Sequence, residues 1–493
     1  MDRNEIGGNY PPLVVAVQRM HRSPALFETK GLGYENTLSV RPSCVHLKES
    51  LPRPTAVKIW RTTMKNMLGS ARKRTVGLCV LIATLLFGSA VAKVDAVLDW
   101  NVIAINTTSN QSPFAQARYI AIVQLAVFEA VNAITGDYRP YLGNIDAPRG
   151  ASPDAAAIQA SYRVLNTYFP GSATLLDAAR AKSLGSIPDG PAKSKGIATG
   201  DAAAYAMIAL RANDGSSPPQ FKIPGPPVPG EWRATPSCPI VNGIAVGAFF
   251  QWQNVTPFGI QSASEFLLSP PPALMSREYA KAYNEVMSVG GLVSTERPQD
   301  RADVAVFYAS SSPTMVFNQV ARQVAQQQWR SLSENARALA LVNMAISDGA
   351  VASFFNKYHY NFWRPETAIH AGETDGNRKT DPDTNFAPFI VTPCFPSYPS
   401  NHGSLSNAGA EVLRHLYGEA GHSITVSNPA VPDIVLQYTS FREITDDISD
   451  ARIYGGIHFR FDQTEGDRLC RAIGRAVYKK NLRVMYGYDR DDD

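Results

Sequence analysis

Cysteine is scarce in this chain: 493 residues carry five, Cys44, Cys79, Cys238, Cys394 and Cys470, at wide spacings that form no metal-type pair. A zinc module or a dense disulfide framework is thereby excluded. Charge is sparse too, at 18% of residues against 44% hydrophobic, which suits a folded core and excludes a disordered or fibrous chain. The net charge is only +4, and the first 92 residues supply it: they hold 13 Lys and Arg against 5 Asp and Glu, whereas the remaining 401 hold 34 against 38. No global basic field is left for a nucleic acid to meet. Fixed-period repeats and low-complexity tracts are missing, and no strand-period run rivals the helical ones.

The N-terminal basic excess has a local cause. Arg72, Lys73 and Arg74 precede an apolar run from Val76 to Phe87 and the small-residue triplet Ala90-Val91-Ala92. A run of 12 residues is too short to span a bilayer. Residues 1–92 are therefore expected to be a dispensable N-terminus with a secretory signal peptide over about 67–92, cleaved after Ala92, with translation starting at Met64 or Met67. The mature chain would be secreted or periplasmic and free of a stable membrane span; an uncleaved anchor is the alternative. Cys238, Cys394 and Cys470 would remain, enough for one bridge and one thiol, and their spacing does not choose the pair.

Beyond the signal, apolar residues Ile120, Val123, Val127 and Val131 recur at spacings of three and four, which predicts a helix over 114–134. Ala-rich helices follow over 153–169, 173–184 and 192–212, separated by Pro-Gly and Pro-Asp-Gly turns. Residues 215–272 are Pro-rich but hold Trp232, Phe249, Phe250 and Trp252, so an ordered loop wrapped on the helices is expected. Helices resume at Ser276, and Ser331-Leu-Ser-Glu334 supplies a capping box for a strong helix through Phe354. The expectation is an all-α, large helical-bundle protein folding as one unit, with an N-terminal half over 93–329 and a C-terminal half over 330–485.

Three groups of residues in the C-terminal half carry the chemistry. Lys357 and Arg364-Pro365, at the end of the capped helix, present a point charge and a planar fork that together suit an anion, although a solvated basic pair would read the same. Ser400-Asn401-His402 sits where a helix begins, so free N–H groups, a hydroxyl and an imidazole converge; a capping serine beside a chance histidine is the bland reading. Arg452 is followed by His458 and Asp462, which a helix would place on one face, with the carboxylate fixing the imidazole tautomer. Asp446-Asp447-Ile-Ser-Asp450 also fits a magnesium-diphosphate pattern, against which stands the absence of a second motif. His359, His370, His415 and His422 read as structural or surface residues, with His370 near enough to Arg364 to reach the rim.

Together the segments KYHYNFWRP, YPSNHGS and ARIYGGIHFRFD resemble the superfamily of vanadium-dependent haloperoxidases and type 2 phosphatidic-acid and acid phosphatases, and their texture is closer to the haloperoxidase branch. The resemblance implies a helical fold and an oxyanion held by Lys357, Arg364, Ser400, the Asn401 backbone N–H and Arg452, with His458 bonded to the central atom and Asp462 behind it. Vanadate is the implied cofactor, His402 the acid-base, and hydrogen peroxide, a halide and a small organic acceptor the partners. In the phosphatase alternative phosphate replaces vanadate and His458 is the nucleophile. Phe395 takes the place of a Phe in chlorinating relatives, and Phe354 that of a Trp. Two positions depart from the pattern: Asn401 stands for a Gly, where a left-handed backbone is expected, and Ala451 for a Ser. Oligomeric state, including a homo-oligomer, stays open.

Overall fold

Serine is the residue that most often starts these helices. The computed structural model describes residues 95–485, so the expected signal peptide, start methionines, Cys44 and Cys79 lie outside the described residues. Within them Ser112, Ser152, Ser276, Ser312, Ser331, Ser400 and Ser440 each accept a first-turn N–H with the side-chain oxygen. Ser331 and Glu334 form the expected capping box. In chain order the helices are Ala96–Thr107 (α1), Pro113–Thr135 (α2), Pro153–Tyr168 (α3), Ala173–Gly185 (α4), Pro191–Leu210 (α5), Arg277–Val289 (α6), Gln299–Ala309 (α7), Pro313–Gln327 (α8), Leu332–Tyr360 (α9), Pro365–His370 (α10), Asn401–Tyr417 (α11), Phe441–Tyr454 (α12) and Arg460–Lys480 (α13).

The centre of the bundle is α9, buried along nearly its whole length and packed against α2, α11 and α13; α3 and α5 cover the far side of α2. Both α2 and α9 are apolar and long enough to cross a membrane, yet 83% and 94% of their apolar windows lie inside the fold, and that burial accounts for their composition. All described residues fall in one contact unit, in which the α2–α9 packing joins the two halves.

The Pro-rich stretch is the ordered wrap expected of it. Trp232 and Trp252 are buried, and Asp348, in the middle of α9, accepts the N–H groups of Phe258, Gly259 and Ile260 at 2.6, 2.6 and 3.0 Å. A carboxylate holding three successive N–H groups fixes a segment that lies outside every helix and strand. The choice among the cysteines is also made: Cys238 in the loop is bonded to Cys394, just ahead of α11, and Cys470 is a buried thiol.

Strands are the departure from the all-helical expectation. Ile240–Val241 (β1) pairs with Ile244–Ala245 (β2), and Ala420–Ser427 (β3) with Val435–Ser440 (β4), both antiparallel. In β3 Ile424 and Val426 turn inward between exposed Ser423, Thr425 and Ser427, a period-two alternation only two apolar residues long. Its free edge meets α8. Gln319, Gln323 and Gln327 each accept from and donate to one strand residue, with Oε1 and Nε2 at 2.9 and 3.2 Å from Ser427, 3.0 and 2.8 Å from Thr425, and 3.2 and 2.6 Å from Ser423.

Candidate active site

The last turn of α9 carries Lys357, and the helix stops at Asn361, which adopts φ 48°. This left-handed residue, a conformation Asn tolerates, turns the chain so that Arg364, capping α10, comes back beside Lys357. Lys357 Nζ donates to the carbonyls of Pro396 and Ser397 at 2.7 and 2.8 Å. Arg364 donates through Nε to Phe395 O at 2.8 Å and through Nη1 to Ile457 O and His458 Nε2, each at 2.9 Å. The ring of Phe395 lies 5.3 Å from Lys357 Nζ and 5.0 Å from the Arg364 guanidinium carbon, so one aromatic face serves both cations.

Ser400 caps α11, its hydroxyl accepting from Gly403 N at 3.4 Å while its own N–H donates to Asp462 O at 2.9 Å. Asn401 is the first helical residue and is not among the described residues with positive φ. The expected left-handed turn is therefore corrected: a cap followed by ordinary helix presents the N–H groups without it. His402, one residue further on, is partly exposed and places Nε2 3.4 Å from Ser311 O.

The third group corrects a second expectation. His458 and Asp462 do not share a helix face, because α13 begins only at Arg460. Asp462 sits in its first turn and folds back, Oδ2 accepting from Phe459 N at 3.0 Å, His458 Nδ1 at 2.8 Å and Ser397 Oγ at 2.5 Å. The contact is a capping contact that reaches one residue too far upstream. Gly456 makes the preceding turn from α12 at φ 79°; a Cβ there would lie 2.2 Å from Gly290 O. Arg452, in the last turn of α12, donates through Nη1 to Tyr308 O at 3.3 Å.

All ten residues singled out are thus brought together, and the charges among them do not balance. Lys357, Arg364 and Arg452 are buried with one carboxylate, Asp462, for company. Burial holds the Lys357 ammonium well below its usual range, with Arg364 pressing the same way and Asp462 against it. Burial lowers both guanidinium groups to about 9. It pushes Asp462 up to about 6 against the Ser397 hydrogen bond and Lys357, leaving it ionised at neutral pH. His458 is held well below its usual value by burial and then by Arg364, Lys357 and Arg452; His402 by burial and then Arg452. Two donors, Arg364 Nη2 and Arg452 Nε, are buried without partners. Excess positive charge, unmet donors and a helix start define a cradle for a multivalent oxyanion, and vanadate or phosphate fits its chemistry.

His458 completes the fit. Asp462 accepts the Nδ1 proton, so the tautomer assigned by this network carries its lone pair on Nε2, beside Arg364. Behind Phe395 the wall is aromatic: Phe354 lies 5.4 Å from it, Phe114 5.9 Å and Phe249 6.2 Å between ring centroids. Ser397, Ser311, Tyr308, Phe114 and Phe249 were not visible in the sequence motifs. Three of them act through a carbonyl or a short hydroxyl, and the two phenylalanines come from remote segments. The acidic cluster sits in the middle of α12 and is spent on ion pairs: Asp447 and Asp450 pair with Arg301 at 2.8 and 3.3 Å, and Asp450 with Arg460 at 2.8 Å. Among the described residues no group of three or more His, Cys, Asp or Glu is placed to hold a metal ion. His370 Nε2 is spent on Phe386 O at 2.6 Å.

Known proteins resemble this chain in sequence and fold. Residues 337–487 match the family described as the VCPO second helical-bundle domain. The vanadium chloroperoxidase of Curvularia inaequalis is 25% identical over 281 residues, 44% of this chain and 46% of that protein, so the chain spans about half the length of this curated relative. Among solved structures, a bacterial vanadium-dependent iodoperoxidase superimposes with a TM-score of 0.64 at 22% identity, over 80% of this chain and 97% of that one. An apo bacterial vanadium-dependent chloroperoxidase does so at 0.61 and 15%, over 75% and 94%. The two solved structures share the fold of this chain. The domain match lies across Lys357, Arg364, Ser400, His402, Arg452 and His458, so the C-terminal half of the chain, where the cradle is built, is what is similar to the VCPO second helical-bundle domain.

Proposed function

We propose that the protein is a vanadate-dependent haloperoxidase that oxidises a halide with hydrogen peroxide. The observation that carries this reading is the buried surplus of cations, with unmet donors on Arg364 and Arg452, gathered around a neutral His458 whose Nε2 lone pair faces them. Lys357, Arg364, Arg452, Ser400 and the first N–H groups of α11 would hold the vanadate oxygens, and His458 Nε2 would bond the vanadium. Bound vanadate supplies a Lewis-acid centre that activates hydrogen peroxide toward halide. The chain's own residues do the rest. Asp462 keeps the His458 proton on Nδ1. His402, with Nε2 turned to Ser311 O, has Nδ1 free to take a proton from hydrogen peroxide, and burial keeps it neutral and able to do so. Phe395, Phe354, Phe114 and Phe249 form the apolar wall on the side where the halide would lie. The iodoperoxidase and chloroperoxidase relatives support the class of reaction.

Export belongs to the same reading, supported by the signal-like 72–92 segment and by a Cys238–Cys394 disulfide suited to an oxidising compartment. The same cradle also suits phosphoryl transfer through His458, so turnover decides where binding cannot. Purified apo-protein is given vanadate, peroxide and bromide with a phenolic acceptor, or a phosphomonoester without vanadate. Bromination that requires vanadate supports the proposal. Phosphate release without halogenation in any condition replaces it with the phosphatase.

A further inference from the structure

The side chain at position 401 is new to the motif, and it is not idle. Asn401 is 3% exposed, and its Oδ1 accepts the Ser353 hydroxyl proton at 2.6 Å. Ser353 is fully buried on α9 one helical turn before Lys357, and its oxygen also lies 3.4 Å from Ser404 Oγ in the first turn of α11. A glycine could make no such bond. The Asn401 Nδ2 donor is buried with no partner, a state worth avoiding unless the oxygen of the same amide is needed where it is.

The bond joins two parts of the cradle that come from different helices, 48 positions apart in sequence. One is the turn of α9 that carries Lys357; the other is the turn of α11 that presents Ser400 and the free N–H groups. On the opposite side Lys357 is already fixed by the carbonyls of Pro396 and Ser397, in the strand of chain running into Ser400. The ammonium and the helix start are therefore clamped twice, once through the lysine itself and once through Ser353–Asn401.

We propose that Asn401 is a positioning residue whose side chain, through Ser353, sets the distance between Lys357 and the N-terminus of α11 and thereby the affinity for the oxyanion. The inference rests on the oxyanion reading of the site. It concerns the protein before any turnover, so it is tested by binding: titration calorimetry of the purified apo-protein with inorganic phosphate and with vanadate, alongside thermal melting. Ser353→Ala removes the clamp without touching the 398–403 segment, and Asn401→Gly removes it from the other side. Each is expected to weaken phosphate binding by about fivefold to tenfold, and the double variant by no more than either alone, because the two changes delete one shared interaction. Ser353→Thr, which keeps the hydroxyl, is expected to restore affinity. A lowered melting temperature with unchanged affinity for both anions would mean a purely structural bond and overturn the proposal. Multiplicative losses in the double variant would also overturn it. Failure of the wild-type protein to bind either anion would instead overturn the oxyanion reading, and this inference with it.

Discussion

Replacing Asp462 by Asn separates what the site owes to charge from what it owes to the orientation of His458. Asp462 Oδ2 accepts three hydrogen bonds, at 2.5, 2.8 and 3.0 Å. A bond to a carboxylate is worth ~1.5–3 kcal/mol against ~0.5–1.5 kcal/mol for a neutral acceptor, so the three together lose about 3 kcal/mol. For roughly 390 described residues the unfolding entropy is ~0.8 kcal/mol/K, and the apo-protein should melt about 4 °C lower. The effects on ligands diverge. Losing one negative charge leaves three cations unopposed, which favours any anion. A freed His458, whose Nε2 no longer reliably carries the lone pair, harms only a ligand bonded to that atom. Phosphate binding should therefore hold or tighten, while vanadate binding weakens, and the ratio of the two dissociation constants should move by ~10–100-fold. Isothermal titration of the Asn variant with each anion measures both. Equal changes for the two anions would refute the claim that Asp462 works through His458.

Other outcomes follow from the same geometry. His402→Ala should leave phosphate affinity within about twofold and lower turnover by ~10²–10⁴, as a steady-state assay would show, since the cations do not depend on it. Both site histidines are held neutral by burial, so the unfolded chain binds more protons below its ordinary histidine pKa; stability present above about pH 6.5 should decline as pH falls, by up to ~1.4 kcal/mol per unit for each. Asp462, raised to about 6, acts in the opposite sense between about 4 and 6, and urea melts at pH 7, 6 and 5 for wild type and His402→Ala read the histidine share. Asp348→Ala strands three N–H groups of the wrap and should cost ~3–5 kcal/mol in chemical denaturation. Reduction of Cys238–Cys394, which closes a loop across 156 positions, should lower stability by ~2–5 kcal/mol, visible as a shifted denaturation midpoint with and without a thiol reductant.

The helical frame was legible because local chemistry wrote it: hydroxyl caps, the Ser331 box and the periodicity of 114–134 match the observed helices closely. The β3–β4 hairpin was not, since Ile424 and Val426 alone are too short an alternation to stand out. At the site the residues singled out come together in the fold, while two local geometries differ from the expectation. Asn401 needed no left-handed turn, and His458 meets Asp462 across a helix start. Ser353 and Ser397 escaped notice for a different reason. A buried serine that bonds a side chain 48 or 65 positions away leaves no periodic trace in the sequence.

The three glutamines of α8 act as a ruler laid along β3. Four helical residues rise ~6.0 Å and two strand residues ~6.6 Å, close enough for successive amides to meet successive backbone groups. The mismatch of ~0.6 Å per rung accumulates to only ~1.2 Å across three rungs, within the tolerance of hydrogen bonds, but a much longer ladder would drift out of phase. The length of the match is thus self-limiting. Because Gln319, Gln323 and Gln327 occupy alternate N–H and C=O groups of that edge, a third strand finds nothing to pair with there, and the hairpin is closed to extension by a neighbouring chain on that side. Inserting a single residue before Ser423 would turn the apolar and polar faces of β3 over together with the ruler's contacts, so the helix guards the register of the strand as well as its edge.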